Sequence, residues 1–152
     1  MNVTFCGHSE LYQKEPVRQW LLEIVEALIS QGAEEFLLGG YGQFDALAAS
    51  VVWEMKAKYP HIQSVLVLPY LDRKVDAGIY DYTTYPPLER VPRRYAISHR
   101  NRWLVDQSDV VVAYVLHSWG GAASTLEYAH KKNKIIRRYA LEEAEAAYIG
   151  TR

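Results

Sequence analysis

The chain has 152 residues, 49% hydrophobic and 23% charged, and its 17 basic and 18 acidic side chains leave a net charge of −1. That length and mixture predict one globular domain, and the charge balance gives no global drive toward nucleic acid or an anionic membrane. The single cysteine, Cys6, excludes an internal disulfide and a cysteine-based zinc cluster, and its apolar neighbours predict a buried core thiol.

Short β-type runs alternate with helical patterns. Val3 to Cys6 reads as a first strand, broken at Gly7-His8-Ser9. Pro16 to Ser30 is helical: Val17, Trp20, Leu21, Ile24 and Leu28 form an apolar stripe at 3-4 spacing, with Pro16 in the first turn and Gly32 as the stop. Glu35 to Leu38 is a second strand, ending at Gly39-Gly40. Phe44 to Tyr59 is a second helix, closed by Pro60, and Ser64 to Leu68 a third strand ended by Pro69. Tyr70 to Arg94 follows as a long loop rich in tyrosine and proline, and a loop of that length inside a compact domain is functional or carries short elements of its own. Ala96 to Gln107 is helical. Asp109 to Val115 is a fourth strand whose unbroken apolar run predicts cover on both faces. Ala122 to Lys132 is a helix opened by Gly120-Gly121, Lys134 to Arg137 a fifth strand, and Leu141 to Tyr148 a short tail helix. The order predicts a Rossmann-like, three-layer α/β/α domain over residues 1–152, with a mostly parallel sheet of about five strands. The first residues carry no basic n-region or long apolar stretch, and no run reaches the ~18 apolar residues of a membrane span, so a cytoplasmic protein without a membrane partner is expected.

In an open parallel sheet, ligands sit beyond the carboxyl ends of the strands. Three turns fall there: Gly7-His8-Ser9, Gly39-Gly40-Tyr41-Gly42 and Ser118-Trp119-Gly120-Gly121. Glycine lets backbone N–H groups approach a ligand, and a helix that starts at the turn adds free donors and partial positive charge, a combination suited to phosphate. Any α/β domain also needs tight turns, so one such turn means little and three on one edge mean more. None is a P-loop or a dinucleotide fingerprint. Arg100 or Arg102 is placed to clamp a phosphate, with Asn101 between them, unless they form a solvated helix face. Asp45 is a ribose acceptor, a catalytic acid, or simply a partner for the helix dipole. His117 and Ser118 lie on the last turn, where Ser118 is also a helix cap. Thr125 and Glu127 open the following helix, and at 100° per residue at most one of them faces the ligand. Glu127 is the other catalytic candidate. The five histidines show no metal-ligand spacing, so no metal is expected, and no cofactor is implied.

At Phe5-Cys6-Gly7-His8, Gly39 through Asp45, Tyr59-Pro60-His61-Ile62, Arg100 through Asp109 and His117 through Ala123, the chain resembles the SLOG superfamily, most of all its YpsA-like branch of bacterial and phage proteins. The resemblance runs from about Val3 to Ile136. It implies a Rossmann-like fold and a nucleotide or nucleotide-sugar ligand at the glycine turns. The superfamily also holds the Lonely Guy phosphoribohydrolases, the DNA-processing protein DprA and sensor domains for NAD-derived signals. Its first motif commonly reads Gly-His-Arg, where this chain has Ser9. The Lonely Guy motif has a third glycine that Gly120 through Glu127 lacks.

Three functions follow from residues and resemblance together. The first is a module that senses or sequesters a nucleotide, an ADP-ribose-like molecule or a cyclic signal. The second is a nucleotide N-glycosidase or phosphoribohydrolase. The third is a DNA-processing or protein-interaction accessory factor. The expected partners are a nucleotide-type small molecule and a second copy of the chain, and nucleic acid is not expected.

Overall fold

The computed structural model describes residues 1–72 and 78–139. Six parallel strands form one sheet: β1 (Asn2–Gly7), β2 (Glu35–Leu38), β3 (Gln63–Val67), β4 (Tyr82–Thr84), β5 (Val110–Tyr114) and β6 (Ile135–Arg138), in the order β4-β3-β2-β1-β5-β6. Four helices, α1 (Lys14–Ser30), α2 (Gln43–Lys56), α3 (Ala96–Asp106) and α4 (Gly121–Lys131), alternate with them. The sheet is therefore wholly parallel, with one strand more than the apolar runs predict. The added strand, β4, lies inside the segment read as a loop and pairs Tyr82, Thr83 and Thr84 with Val65, Leu66 and Val67. Three residues are too few to show an alternating pattern. Asp81 secures the strand's entry, accepting the Ser64 N–H at 2.8 Å and pairing with Lys56. The tail helix expected over Leu141 to Tyr148 lies outside the described residues.

Strand alternation divides the core into two layers. Val3, Phe5, Phe36, Leu38, Val110, Val112 and Tyr114 pack with α1 and α2. On the other side Cys6, Val111, Ala113 and Val115 pack with Val105 of α3 and with Leu126 and Ala129 of α4, while Leu37, Val65 and Val67 cluster with Leu104. Burial of each such side chain is worth roughly 1.5–3 kcal/mol, so each layer holds its own pair of helices firmly. Helix α1 buries Val17, Leu21 and Leu28 of the expected stripe together with Val25 and Ile29, whereas Trp20 and Ile24 of that stripe are only half-buried at its edge. It starts two residues before Pro16, which still lies in the first turn, where its missing N–H is no loss. Gly32, at φ +104°, ends it. The Gly32 N–H bonds to the Ile29 carbonyl and the Ala33 N–H to that of Leu28. This is a Schellman closure. Helix α4 ends the same way with Asn133, at φ +56°, in the glycine's place. Helix α2 stops at Lys56, three residues short of the expected Tyr59. Among the described residues no helix is long and apolar enough to cross a membrane.

The chain runs outward from β1 through β2 and β3 to β4, then returns to the other flank of β1 at β5. The reversal leaves a crevice at the carboxyl ends of β1 and β5, because the loops leaving these two neighbours turn to opposite sides.

Candidate functional site

A cavity of about 350 Å³ occupies that crevice, within the ~300–1,000 Å³ usual for small-molecule sites. Its floor is the end of β1, from Thr4 through Gly7 and on to His8 and Ser9. One wall is the start of α4, with Gly120, Gly121, Ala122 and Thr125. The opposite wall is α3, with Ile97, Arg100, Asn101 and Leu104. Asp45, from the first turn of α2, and His117 close the ends. Among these are most of the residues that the sequence singles out.

The glycines act in different ways. Gly7 has no room for a side chain, since an added Cβ would lie 2.2 Å from Phe44 Cδ2. Gly39 and Gly40 do not line the cavity. Gly40, at φ +67°, packs on Leu66, and Gly39 presents its carbonyl to Arg100. Gly120, at φ +92°, occupies the N-cap position of α4, where no side chain caps the helix. Ser118 is therefore not the cap that the sequence suggests. It is exposed and lies off the cavity. The first-turn amides of α4 are left to face the cavity with their partial positive charge.

Arg100 is 2% exposed. Its Nη1 donates to the carbonyls of Gly39 (2.7 Å) and Val67 (2.8 Å), and its Nε donates to Asn101 Oδ1 (3.0 Å). It thus staples the ends of β2 and β3 while holding a cation at the cavity wall. Burial lowers its pKa, and the neighbouring Asp45 carboxyl works against that shift. Burial also dominates at Asp45, whose pKa is pushed up to about 7, against the opposing effects of the Tyr41 N–H (3.3 Å to Oδ2) and of Arg100. A carboxyl that titrates near neutrality within reach of a ligand is suited to proton transfer. Cys6 is the reverse. Burial, then the Asp45 charge, pushes its thiol up to about 12, and its Sγ donates to the Ala122 carbonyl at 3.1 Å. It is a packing residue and not a nucleophile.

Three rings stack along one side. The His8 and His117 centroids are 3.9 Å apart at 18°, and those of His117 and Trp119 are 3.8 Å apart at 13°. His8 Nε2 accepts the Leu116 N–H at 2.8 Å, which places the ring proton on Nδ1 of a neutral imidazole. Burial, His117 and Arg138 each lower its pKa. His117 Nδ1 is buried without a hydrogen-bond partner among the described residues, an arrangement that costs about 1–3 kcal/mol. The ring is held by its faces rather than by its edge.

Two further candidates fall outside the cavity. Arg102 and Glu127 line a shallow hollow of about 90 Å³ between α3 and α4, where Thr125 also borders. Arg102 lies over the Tyr128 ring, and Glu127 pairs with Lys131 at 3.3 Å, both largely exposed. Between Thr125 and Glu127 it is Thr125 that faces the main cavity, although its hydroxyl donates back to the Gly121 carbonyl at 2.9 Å. Tyr12 and Tyr41, which line the cavity mouth, were not singled out from the sequence. Each sits inside or just after a glycine turn, which is a signal that could have found them. Arg138, whose Nη2 donates to the Val115 carbonyl at 2.6 Å, does not line the cavity, and it extends the last strand one residue past its expected end at Arg137. Among the described residues no three His, Cys, Asp or Glu side chains gather as a metal site.

No protein-family model matches the chain. A UPF0398 protein of Halalkalibacterium halodurans is 30% identical over 139 residues, which cover 81% of this chain and 70% of the relative. Among solved structures, DNA processing protein A of Helicobacter pylori, described by its single-stranded DNA binding mode, superposes with a TM-score of 0.65 at 18% identity. The match covers 93% of this chain but only 66% of that protein. A molybdenum cofactor binding protein of Rippkaea orientalis superposes with a TM-score of 0.59 at 21% identity, over 95% of this chain and 80% of that one. At such identities these likenesses carry the fold alone. Because the Helicobacter protein is described as binding DNA, the expectation against nucleic acid finds no support here. Net charge is a global sum, whereas binding depends on local patches.

Proposed function

The chain belongs to the UPF0398 family and has a SLOG-type Rossmann-like fold, and from that premise we propose that it is a ligand-binding module for a nucleotide-derived metabolite or signal. The observation that carries this reading is the convergence, in one cavity, of the uncapped start of α4 at Gly120-Gly121 with the buried Arg100 cation. Backbone N–H groups and a guanidinium in a partly desolvated site complement phosphate and discriminate against neutral molecules. Gly7, His8 and Ser9 form the floor beneath it, Asn101 supports Arg100, and Asp45 is placed for a ribose hydroxyl. Thermal shift across a panel of nucleotides, ADP-ribose and cyclic nucleotides tests the reading. A ligand at 100 times its Kd adds roughly 2.7 kcal/mol of stability, and a flat panel would remove the proposal.

A second reading, hydrolysis of an N-glycosidic bond, draws support from one feature. Asp45 combines access to the cavity with a pKa of about 7, the range in which a carboxyl can act as general acid or base. Glu127 brings no comparable support from its place on the outer face of α4. Incubation with nucleoside monophosphates and NAD, followed by chromatography for released base, decides it. No base above a buffer control sinks the hydrolytic reading for those substrates.

A further inference from the structure

Trp119 is 69% exposed and yet fixed in place. One of its faces lies on His117, which lies in turn on His8, and His8 is anchored by the Leu116 N–H and the edge of Tyr114. A large aromatic residue on a loop does not gain such a scaffold from its own burial, since most of its surface stays in water. Among the described residues the scaffold also leaves His117 Nδ1 without a hydrogen bond, so the face-to-face order is kept at the expense of a buried polar atom. What the arrangement delivers is a rigid aromatic platform at the mouth of the cavity, immediately before the Gly120-Gly121 turn. Tyr12 and Tyr41, 73% and 60% exposed, line the same mouth. Exposed aromatics gathered at one opening are suited to a flat, partly apolar partner.

We infer that Trp119 is the platform on which the ligand's heteroaromatic base stacks, as the fourth ring of the His8–His117–Trp119 column, so that the site selects base-bearing phosphates over sugar phosphates. This rests on the ligand-binding reading above and adds to it the part of the ligand that gives selectivity. A preorganised platform loses little side-chain freedom on binding. Stacking accepts any flat base, and the overlap favours the larger purines over pyrimidines.

Titration calorimetry with AMP, GMP, UMP, ribose 5-phosphate and inorganic phosphate tests the inference on wild-type protein and on Trp119→Ala and Trp119→Phe. AMP or GMP should bind about tenfold or more tightly than ribose 5-phosphate, with UMP between them. Trp119→Ala should bring the nucleotides to within about twofold of ribose 5-phosphate and leave ribose 5-phosphate itself unchanged, and Trp119→Phe should keep part of the preference. Circular dichroism and the melting temperature confirm that the variants fold, as expected for so exposed a side chain. If ribose 5-phosphate matches AMP on wild-type protein, or if Trp119→Ala keeps the full preference for AMP, the platform is refuted while the phosphate cavity stands. If none of the five probes binds, the platform as stated is refuted, and the cavity reading is decided by the wider panel of ADP-ribose and cyclic nucleotides.

Discussion

The starts of α2 and α4 have nearly the same backbone and opposite surroundings. Each helix has a glycine at its N-cap, Gly42 at φ 90°, ψ 173° and Gly120 at φ 92°, ψ 175°, and neither has a side-chain cap. At α2 the turn is packed shut. An added Cβ on Gly42 would lie 2.7 Å from Ser9 Cα, and one on Gly40 would lie 2.5 Å from Leu66 Cδ1. The same helix carries its own acid, Asp45, in its first turn, whereas α4 has none there. At α4 the nearest atom to an added Cβ on Gly120 is His117 Cε1 at 4.0 Å, and Gly121 has nothing within 4 Å. Both glycines hold a positive φ, but at α2 neighbouring chain also leaves no room, and a buried carboxyl sits in the first turn. At α4 the dipole and the space both open on the cavity.

The largest expected effect breaks the shut turn. Gly42→Ala imposes a positive φ on a residue with a Cβ and drives that Cβ into the Ser9 backbone, so the loss of unfolding free energy should be about 3 kcal/mol or more. Urea denaturation checks it. Gly120→Ala imposes the same φ strain without the collision and should cost about 1–2 kcal/mol. Equal losses at the two positions would mean that the difference in surroundings has no energetic content.

Asp45 supplies a test of the internal acid, smaller than the first effect and comparable with the strain at Gly120. Its folded pKa of about 7 lies above the ordinary carboxylate value near 4. Between these values the folded chain holds a proton that the unfolded chain releases. The associated stability is therefore complete below pH 4 and is lost as the pH rises through 7. From pH 5 to pH 8 the Asp45 contribution should fall by about 2–3 kcal/mol, read as the difference between wild-type protein and Asp45→Asn, because His8, whose pKa is lowered, adds a slope of the opposite sign. The same titration should weaken phosphate binding above pH 7, where the ionised Asp45 faces the incoming anion. Parallel stability profiles for wild-type protein and Asp45→Asn between pH 5 and 8 would show that the carboxyl is not held protonated.

The two turns also mark how far the sequence could be read. Both appear as glycines between an apolar run and a helical pattern, and that pattern placed His8, Arg100, His117, Trp119 and Gly121 around one site, where the structure also brings them. It could not tell a glycine crowded by Ser9 from one facing open space, because that contact joins residues 33 positions apart. Nor could it orient helix faces from local order alone. Arg100 and Arg102 sit two residues apart on α3, and only the packing of α3 on the sheet turns the first inward and leaves the second over Tyr128. The column of His8, His117 and Trp119 joins loops after two different strands, so its members were legible singly and its stacking was not. β4 escaped because three residues between prolines and tyrosines carry too little pattern.

The smallest expected effect on stability belongs to Gly121→Ala, and it separates the two turns most sharply. Gly121 is the first residue of α4, its φ is not positive, and an added methyl meets no protein atom within 4 Å. Alanine restricts the unfolded chain more than glycine and suits a helix better, so the variant should be unchanged or up to about 1 kcal/mol more stable. The methyl nevertheless projects beside the first-turn amides where they border the cavity. A phosphate approaching those amides would meet it, so nucleotide affinity should fall by about tenfold or more although the fold is intact. Unfolding curves and nucleotide titration on the same preparation give both readouts. Full affinity in a stable Gly121→Ala protein would show that no phosphate comes close to this turn, and would move the ligand toward Arg100 and the α3 wall. A stable variant that has lost its ligand would fix the open turn as the phosphate end of the site, since the substitution alters nothing else that the cavity presents.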